Sequence, residues 1–175
     1  MSTDFDAFSI SLLDEAKRFL EKFVEDNEVA LLHASLVLGF SSLESHINGV
    51  AEELSIRHDA SFLDKSLLLE RAVKLDKGEW KLASTQYFRL EDRLTFLFRR
   101  YGGTTLGGFS WWSDLSQGIH ARNDLVHPRM AVDLKDADVK RFLLAIVSAL
   151  NDLYLAVFGK GHPSFGRGLQ STMTF

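Results

Sequence analysis

Four residues near the end of one predicted helix could carry out acid–base chemistry on a charged substrate. They are Arg122, Asn123, Asp124 and His127, and Pro128 follows directly. An arginine guanidinium offers a fixed fork of donors that matches phosphate oxygens, and an imidazole can take up and return a proton near neutral pH. If the segment is helical, Asn123 and His127 share a face because they lie four residues apart. The spacing therefore indicates a site for phosphate chemistry.

The same residues also have a purely structural interpretation. Arg122 could pair with an acidic side chain, and His127 could interact with the partial negative charge at the end of the helix. An arginine followed by a histidine at this spacing also arises by chance in a chain of 175 residues with 6 histidines. The spacing alone therefore does not decide between chemistry and structure.

Apolar residues recur at steps of three and four along most of the chain, which is the pattern of amphipathic helices. The clearest run lies between Leu32 and Leu54. Gly78, in the charged stretch 74–82, predicts a turn there, with a short hairpin or an irregular connection. Because no segment shows sustained alternation, we predict an all-α protein, an up-and-down bundle of five to six helices. The predicted helices cover residues 3–26, 27–56, 61–73, 87–101, 110–127 and 136–159.

Capping residues mark the ends of several predicted helices. Asn27, Ser61 and Asp136 are expected to be N-caps. Gly159 is expected to end the last helix. Pro128 should end the fifth, because the residue before a proline is pushed out of the helical region.

Length and composition limit the class of protein. The 175 residues suit one domain, which we place at residues 1–159, followed by a flexible C-terminal tail at residues 160–175. Cysteine is absent, which excludes disulfides and cysteine-ligated metals. No basic leader and no long uninterrupted apolar run is evident, so a cytoplasmic protein that does not span a membrane is expected.

The net charge of −4, from 20 basic and 24 acidic residues, argues against a broad electrostatic grip on duplex DNA. Any basic patch must be local. Arg99, Arg100 and Arg129 are the candidates for a rim that binds RNA, or else they are simply solvated charges. No HExxH motif or clustered carboxylate set is present, so neither a metal nor another cofactor is expected.

Other aromatic and titratable residues are less distinctive. Trp111 and Trp112 are adjacent and cannot share a helix face, so we expect one in the core and one at an interface. His120 lies one helical turn before Asp124 and could line the same cleft. The remaining histidines on or beside the second helix are expected to be surface or hydrogen-bonded core residues: His33, His46 and His58.

Two stretches of the chain resemble the HEPN family (higher eukaryotes and prokaryotes nucleotide-binding domains). The stretch from Arg122 to His127 resembles its signature of an arginine, four to six residues and a histidine, and Asn123 matches the family preference directly after the arginine. The stretch from Ser42 to Asn48 resembles the LES-x-IN run of the first core helix in bacterial members. Together with the helical pattern, the resemblance covers about residues 27–158.

The resemblance implies a metal-independent endoribonuclease that acts as a homodimer with a composite site. In such an enzyme His127 would be the general base or acid, and Arg122 would hold the phosphate and stabilise developing charge. Asn123 would orient the histidine or the phosphate, and Glu44 is the candidate for an acidic residue that joins the site from an earlier helix. The products would carry 2′,3′-cyclic phosphate and 5′-hydroxyl ends. The expected biological role is that of a bacterial toxin or antiphage defence component.

One branch of the family is not matched. His127 is followed by Pro128 and Arg129, so the His-x-Tyr extension of HEPN toxins paired with minimal nucleotidyltransferases is missing. The resemblance therefore gives no support to that antitoxin mechanism. An antitoxin or a defence-system protein is still an expected partner. Two alternatives remain open: a non-catalytic HEPN module that binds nucleotide or a protein partner, and a helical bundle with no nucleic-acid role. The expected dimer interface would bury an exposed aromatic from the group Phe109, Trp111 and Trp112.

Overall fold

The computed structural model describes residues 3–175, so the first two residues of the predicted domain lie outside the described part. Six helices and one β-hairpin form its regular structure, and 65% of the chain is helical. The prediction of a helical bundle is therefore confirmed, apart from the hairpin. The elements are α1 (Thr3–Asp26), α2 (Val29–Ser55), α3 (Phe62–Leu68), β1 (Arg71–Asp76), β2 (Glu79–Thr85), α4 (Leu90–Tyr101), α5 (Trp112–Val126) and α6 (Asp136–Phe158), with short 3₁₀ turns at Leu106–Gly108 and Phe165–Arg167.

The first two helices form an antiparallel pair joined by a two-residue link. The hydroxyl of Ser42 on α2 donates to the carbonyl oxygen of Ser9 on α1 at 2.7 Å. Further along, the hydroxyl of Ser35 donates to the carbonyl oxygen of Ala16 at 2.7 Å. These buried bonds satisfy polar groups at the helix contact and let the two backbones pack closely.

The prediction that Asn27 caps the start of the second helix is wrong. Asn27 has a φ of 55°, in the left-handed region that asparagine tolerates better than most residues. Its N–H donates to the carbonyl oxygen of Phe23 at 2.8 Å, so it closes the end of α1. Helix α2 begins at Val29, with Glu28 in the cap position and no side-chain cap hydrogen bond.

Helix α2 is the central helix of the bundle. It packs against α1, α3, α5 and α6. Burying one leucine or phenylalanine side chain contributes about 1.5–3 kcal/mol to folding, so the apolar face of α2 supplies much of the stabilisation. The predicted inner residues of this face are confirmed, each being at most 1% exposed: Leu32, Leu36, Phe40, Leu43, Ile47, Val50 and Leu54.

The β-hairpin replaces the second part of a predicted helix. A helix over residues 61–73 was expected, but α3 ends at Leu68 and β1 pairs antiparallel with β2. The turn Lys77–Gly78 has φ values of 52° and 86°, the positive values of tight hairpin turns. The strands are too short for their alternation to stand out from helical periodicity. Ser61 does cap α3, in a reciprocal hydrogen-bonded pair with Asp64.

The ends of α5 and α6 agree in part with the predicted caps. Helix α5 ends at Val126, before Pro128 as expected. Gly159 follows α6 with a φ of 69°, which confirms the predicted stop. The predicted cap at Asp136 is wrong, because Lys135 takes the cap position and Asp136 is the first helical residue. An aspartate there still interacts favourably with the helix dipole.

Among the described residues, one helix is long and apolar enough to cross a membrane. This helix is α6, and half of its apolar window is buried inside the protein. It packs against α1, α2, α4 and α5. The expectation that every apolar run is too interrupted to span a bilayer is therefore wrong for α6 by length and composition. A helix at the centre of a bundle needs the same apolar composition.

The end of the C-terminal segment, residues 160–175, packs against α1. The backbone N–H of Thr172 donates to both carboxylate oxygens of Asp14, at 3.1 and 3.2 Å. The guanidinium of Arg18 donates to the carbonyl oxygen of Phe175 at 2.8 Å, and the Phe175 ring packs edge-on against Phe19. These contacts hold the end of the segment against α1 of the same chain. The flexibility predicted for it stays a prediction.

The start of the same segment buries a histidine against α2. His162 packs edge-on against His46 and Tyr154, with ring centroids 4.7 and 4.9 Å apart. Burial lowers the pKa of His46 to about 3, with a further contribution from His162. Burial lowers the pKa of His162 to about 4, together with the charges of Lys17 and Arg167. The expectation for His46 is confirmed in part, since its Nδ1 lies 3.1 Å from the Tyr154 hydroxyl while its Nε2 is buried without a hydrogen-bond partner among the described residues.

We predict that the protein loses stability as the pH falls from 6.5 towards 4. Unfolded histidines titrate near 6.5 and the two buried ones near 3 and 4, so the unfolded state binds more protons in this window. The contribution of the pair is fully present above pH 6.5 and should fall by on the order of a few kcal/mol across the window. Urea unfolding followed by circular dichroism at several pH values measures this free energy.

A matched pair of variants separates the buried histidines from other titrating groups. His162→Gln should flatten the pH dependence, whereas His58→Gln, at an exposed position, should leave it unchanged. The same slope in both variants and in the wild type would contradict the assignment.

Candidate functional site

Arg122 of α5 and Glu44 of α2 form an ion pair across the contact between their helices. The Nη1 of Arg122 also donates to the side-chain oxygen of Asn123 at 3.1 Å, and the guanidinium carbon lies 6.0 Å from the ring centroid of Phe40. Burial lowers the pKa of Arg122, but a guanidinium remains a cation in proteins. The ion pair joins one residue from each of the two stretches singled out in the sequence.

A glycine makes this contact possible. Gly118 of α5 lies one turn before Arg122, and a Cβ at Gly118 would be 2.9 Å from Cζ of Phe40 and 3.0 Å from Cγ of Phe142. Phe40 lies one turn before Glu44 on α2. The missing side chain at Gly118 therefore lets α5 approach α2, and this approach brings Arg122 to Glu44.

The ion pair forms part of the wall of a cavity of about 360 Å³. The wall is built by α2, α5 and the start of α4, and the volume lies within the range of ordinary small-ligand sites. The cavity is therefore large enough for part of a nucleotide. Four of the site residues predicted from the sequence line it: Glu44, His120, Arg122 and Asn123.

The start of α4 contributes residues that the sequence analysis did not single out. Phe88, Arg89 and Glu91 line the same cavity. Glu91 accepts a hydrogen bond from the hydroxyl of Ser116 on α5 at 2.9 Å, which ties α4 to α5. Arg89 is exposed, and its side chain forms no ion pair within the part of the chain that the structure describes. An acidic residue such as Glu91 is common in the first turn of any helix, and no spacing in the sequence linked Phe88 or Arg89 to the Arg122 motif.

His127 lies outside the cavity lining. It is the C-cap of α5, where its backbone N–H donates to the carbonyl oxygen of Asn123 at 2.9 Å. Its exposed imidazole forms no hydrogen bond or ion pair with another residue in the range 3–175. The imidazole that lines the cavity beside Arg122 within one chain is that of His120.

The three arginines of the predicted basic rim do not meet at this cavity. Arg99 and Arg100 lie at the end of α4, about 15 Å along the helix axis from its start at Leu90. Arg100 forms ion pairs with Asp59 at 3.4 Å and with the carboxylate of the α3 capping box at 3.7 Å. Arg129 is exposed in the loop after α5. Of the three predicted arginines, Arg129 alone is close in sequence to the motif. The second cation at the cavity is instead Arg89, which was not predicted.

The aromatic residues proposed for a dimer interface pack within the chain. Trp111 is 7% exposed, and its indole N–H donates to the carboxylate of Asp152 at 2.7 Å. Phe109 stacks on Trp111 with ring centroids 4.8 Å apart. Trp112 is half-buried and packs edge-on against Trp111. One tryptophan therefore lies in the core as predicted, and none of the three side chains is fully exposed.

Comparison with known proteins supplies no relative. No protein-family model, curated protein or solved structure matches the chain.

The cavity combines a partly buried cation, a titratable ring and several acceptors. Arg122 and Arg89 can bind the oxygens of an anion, and His120 can exchange a proton with a bound group. Glu44 holds the Arg122 guanidinium in one direction, so an incoming anion meets a preorganised donor. Over residues 3–175, no group of three or more histidine, aspartate or glutamate side chains is arranged to hold a metal ion.

We predict that Gly118→Ala separates α5 from α2. The added methyl group would meet Phe40 and Phe142 at distances that packed carbon atoms do not tolerate. Overpacking costs about 1–3 kcal/mol, and the better helix propensity of alanine offsets roughly 1 kcal/mol of this cost. A net loss of up to about 2 kcal/mol in the free energy of unfolding is expected by denaturant titration.

Gly107→Ala is the matched control, because a Cβ at Gly107 would have no neighbour within 4 Å. It should leave stability nearly unchanged. If both alanine variants had the same stability, Gly118 would not be the spacer between α2 and α5.

Proposed function

We propose that this protein is a HEPN-type endoribonuclease with a HEPN-like helical bundle, which cleaves RNA without a metal ion. One observation carries the proposal. The two separate stretches that resemble the family, Arg122 to His127 and Ser42 to Asn48, lie 74 residues apart at their nearest ends in the sequence, and the Arg122–Glu44 ion pair joins them at one cavity. Two unrelated chance matches would have no reason to meet there.

The proposed reaction is an attack of a ribose 2′-hydroxyl on the adjacent phosphorus. The 2′-oxygen forms a bond to phosphorus and loses its proton to a base, while the bond to the 5′-oxygen breaks and that oxygen gains a proton from an acid. Arg122 binds a phosphate oxygen and stabilises the charge that develops on it. Glu44 and Asn123 position the guanidinium. The products carry a 2′,3′-cyclic phosphate and a 5′-hydroxyl group.

The resemblance assigns His127 as the proton carrier. Its position in the structure has a consequence for how two chains would have to assemble. His127 lies at the exposed end of α5, outside the cavity of its own chain. A homodimer with a two-fold axis near the end of α5 would bring the partner's motif next to the first and supply two arginines and two imidazoles to one cleft. We therefore propose a composite site, formed in the cytoplasm, in a toxin or an antiphage defence component.

A second candidate function is a non-catalytic HEPN module that binds a nucleotide or a protein partner. It is favoured by the same position of His127, because a single chain then offers an anion-binding cavity whose expected proton carrier lies outside it. The two candidates make different predictions for cleavage and the same prediction for nucleotide binding.

We predict that the purified protein cleaves total RNA in the presence of EDTA and leaves 5′-hydroxyl ends. Arg122→Ala should lower the rate by about a hundredfold or more, since it removes a charge-stabilising donor. Labelling of the new 5′ ends by a kinase without prior phosphatase treatment measures the product.

Induction of the wild-type chain, and not of Arg122→Ala, should arrest bacterial growth if the toxin role is right.

Arg57→Ala is the matched control, since it removes an exposed arginine that follows α2 and lies outside the cavity at Arg122. It should cleave at the wild-type rate. Cleavage that depends strictly on an added divalent metal, or an equal loss in both arginine variants, would rule out the proposed mechanism.

A further prediction concerns the two candidate imidazoles. His127→Ala should abolish cleavage without lowering the unfolding temperature, because its side chain is exposed. Mixing Arg122→Ala chains with His127→Ala chains should restore part of the activity, because one dimer then holds one intact arginine and one intact histidine. Light scattering should report a dimer.

His120→Ala distinguishes the composite site from a site within one chain. If His120→Ala abolishes cleavage, His127→Ala retains it and mixing restores nothing, the proton carrier is His120 and the composite site is wrong. A monomer in solution that still cleaves RNA leads to the same conclusion.

A further inference from the structure

The cavity at Arg122 continues into a groove along α2. Glu44, Asn48 and Glu52 recur every four residues on one face of this helix. A second cavity of about 240 Å³ shares Glu44 with the first, and a third of about 300 Å³ shares Asn48 with the second. From Glu44 to Glu52 the groove follows α2 for about 12 Å. Stacked nucleotides are about 3.4 Å apart along a strand, so the groove is longer than one nucleotide needs.

The chemistry of the wall changes between the first and the second cavity. The first cavity contains Arg122 and also Arg89, which forms no ion pair with any residue from 3 to 175. The second also contains an arginine, Arg93, but it is 5% exposed and bound to Glu70 at 3.2 Å. A phosphate is therefore favoured in the first cavity and an uncharged group in the second.

The second cavity has an exposed aromatic ring at its edge. Tyr87 is 84% exposed and lines the cavity next to Phe88. Asn48, also exposed, lines it from α2. A free aromatic face beside a side-chain amide is the combination that binds nucleobases in single-stranded RNA, by stacking and by hydrogen bonds to the base edge.

Glu70 holds the aromatic segment against the groove. It is a non-glycine residue with a φ of 50°, a left-handed conformation that costs free energy and needs support from its surroundings. Its carboxylate accepts hydrogen bonds from the backbone N–H of Phe88 and from Arg93, both at 3.2 Å. Its carbonyl oxygen accepts one from the N–H of Gln86 at 2.8 Å. Both sides of Tyr87 are thereby attached to the body of the protein.

We propose that the second cavity is a nucleobase subsite, in which Tyr87 stacks on the base next to the phosphate held at Arg122. This inference rests on the proposed function for the identity of the phosphate, and it goes further by naming how the substrate is selected. The wall carries the carboxylates of Glu44 and Glu70, which only accept hydrogen bonds. A base with an exocyclic amino group, such as adenine or cytosine, donates to such a wall, whereas uracil offers a single ring N–H that lies between two carbonyl oxygens. The subsite therefore selects amino-bearing bases.

The test uses 2′-O-methyl hexanucleotides of adenine, cytosine and uracil, which cannot undergo 2′-hydroxyl attack. Fluorescence anisotropy at one fixed salt concentration measures their binding. The wild type should bind the adenine and cytosine oligomers more tightly than the uracil oligomer. Tyr87→Ala should weaken binding of the adenine oligomer about tenfold, in line with the loss of one stacked base, and Tyr87→Phe should retain it. Asn48→Ala should reduce the preference for adenine over uracil.

Trp80→Ala is the matched control, because Trp80 is an exposed aromatic residue, 57% accessible, on the hairpin and outside the groove. It should bind like the wild type. An equal loss in Tyr87→Ala and Trp80→Ala, no loss in Tyr87→Ala, or no preference among the three oligomers would overturn the subsite.

The outcome is separable from that of the proposed function. If total RNA is not cleaved but Tyr87→Ala weakens oligomer binding, the base subsite stands and the catalytic proposal fails. If RNA is cleaved with the expected ends but Tyr87→Ala binds and cleaves like the wild type, the catalytic proposal stands and the subsite fails.

Discussion

The close approach of α5 to α2 is the constraint on which the candidate site depends. Phe40 is fully buried in α2, and its ring tip occupies the space that a side chain at Gly118 would need. With this contact in place, the next turn of each helix must present its residues to the other, and these residues are Arg122 and Glu44. A small change in packing at Gly118 therefore acts directly on the ion pair between Arg122 and Glu44.

Helix α2 serves two functions on two of its faces. Glu44 faces the cavity, whereas His46, two residues further on, points to α6 and the C-terminal segment. Successive residues of a helix turn by about 100°, so positions two apart lie on nearly opposite sides. The buried histidine pair stays neutral near pH 7 because burial lowers both pKa values. The side of α2 opposite the site is thus held by packing rather than by charge.

The local charge at the cavity differs from that of the chain as a whole. The chain carries a net charge of −4, and several of its arginines are already paired with carboxylates. At the cavity, Arg122 is paired with Glu44, so a phosphate must share the guanidinium with that carboxylate. Arg89 offers a second cation close by. The RNA recognition proposed for this site would depend on geometry and stacking along the groove more than on long-range attraction.

Local chemistry determined the parts of this protein that its sequence predicts. The 3.6-residue periodicity of α2, the Ser61–Asp64 cap and the stop at Gly159 depend on residues within a turn or two of each other, and all three are found in the structure. The turn at Gly78 was predicted with a hairpin as one of two alternatives, but residues 71–73 of the first strand were assigned to a helix. Two short strands are stabilised by pairing with each other, which no single segment reveals. Tertiary packing alone decided that Arg89 and Tyr87 join the wall of the groove, since helices distant in sequence meet there. The position of His127 outside the cavity was not evident from its spacing to Arg122 either. His127 caps α5 in a non-helical backbone conformation, with φ −123° and ψ 62°, so it does not continue the helix face that carries Asn123.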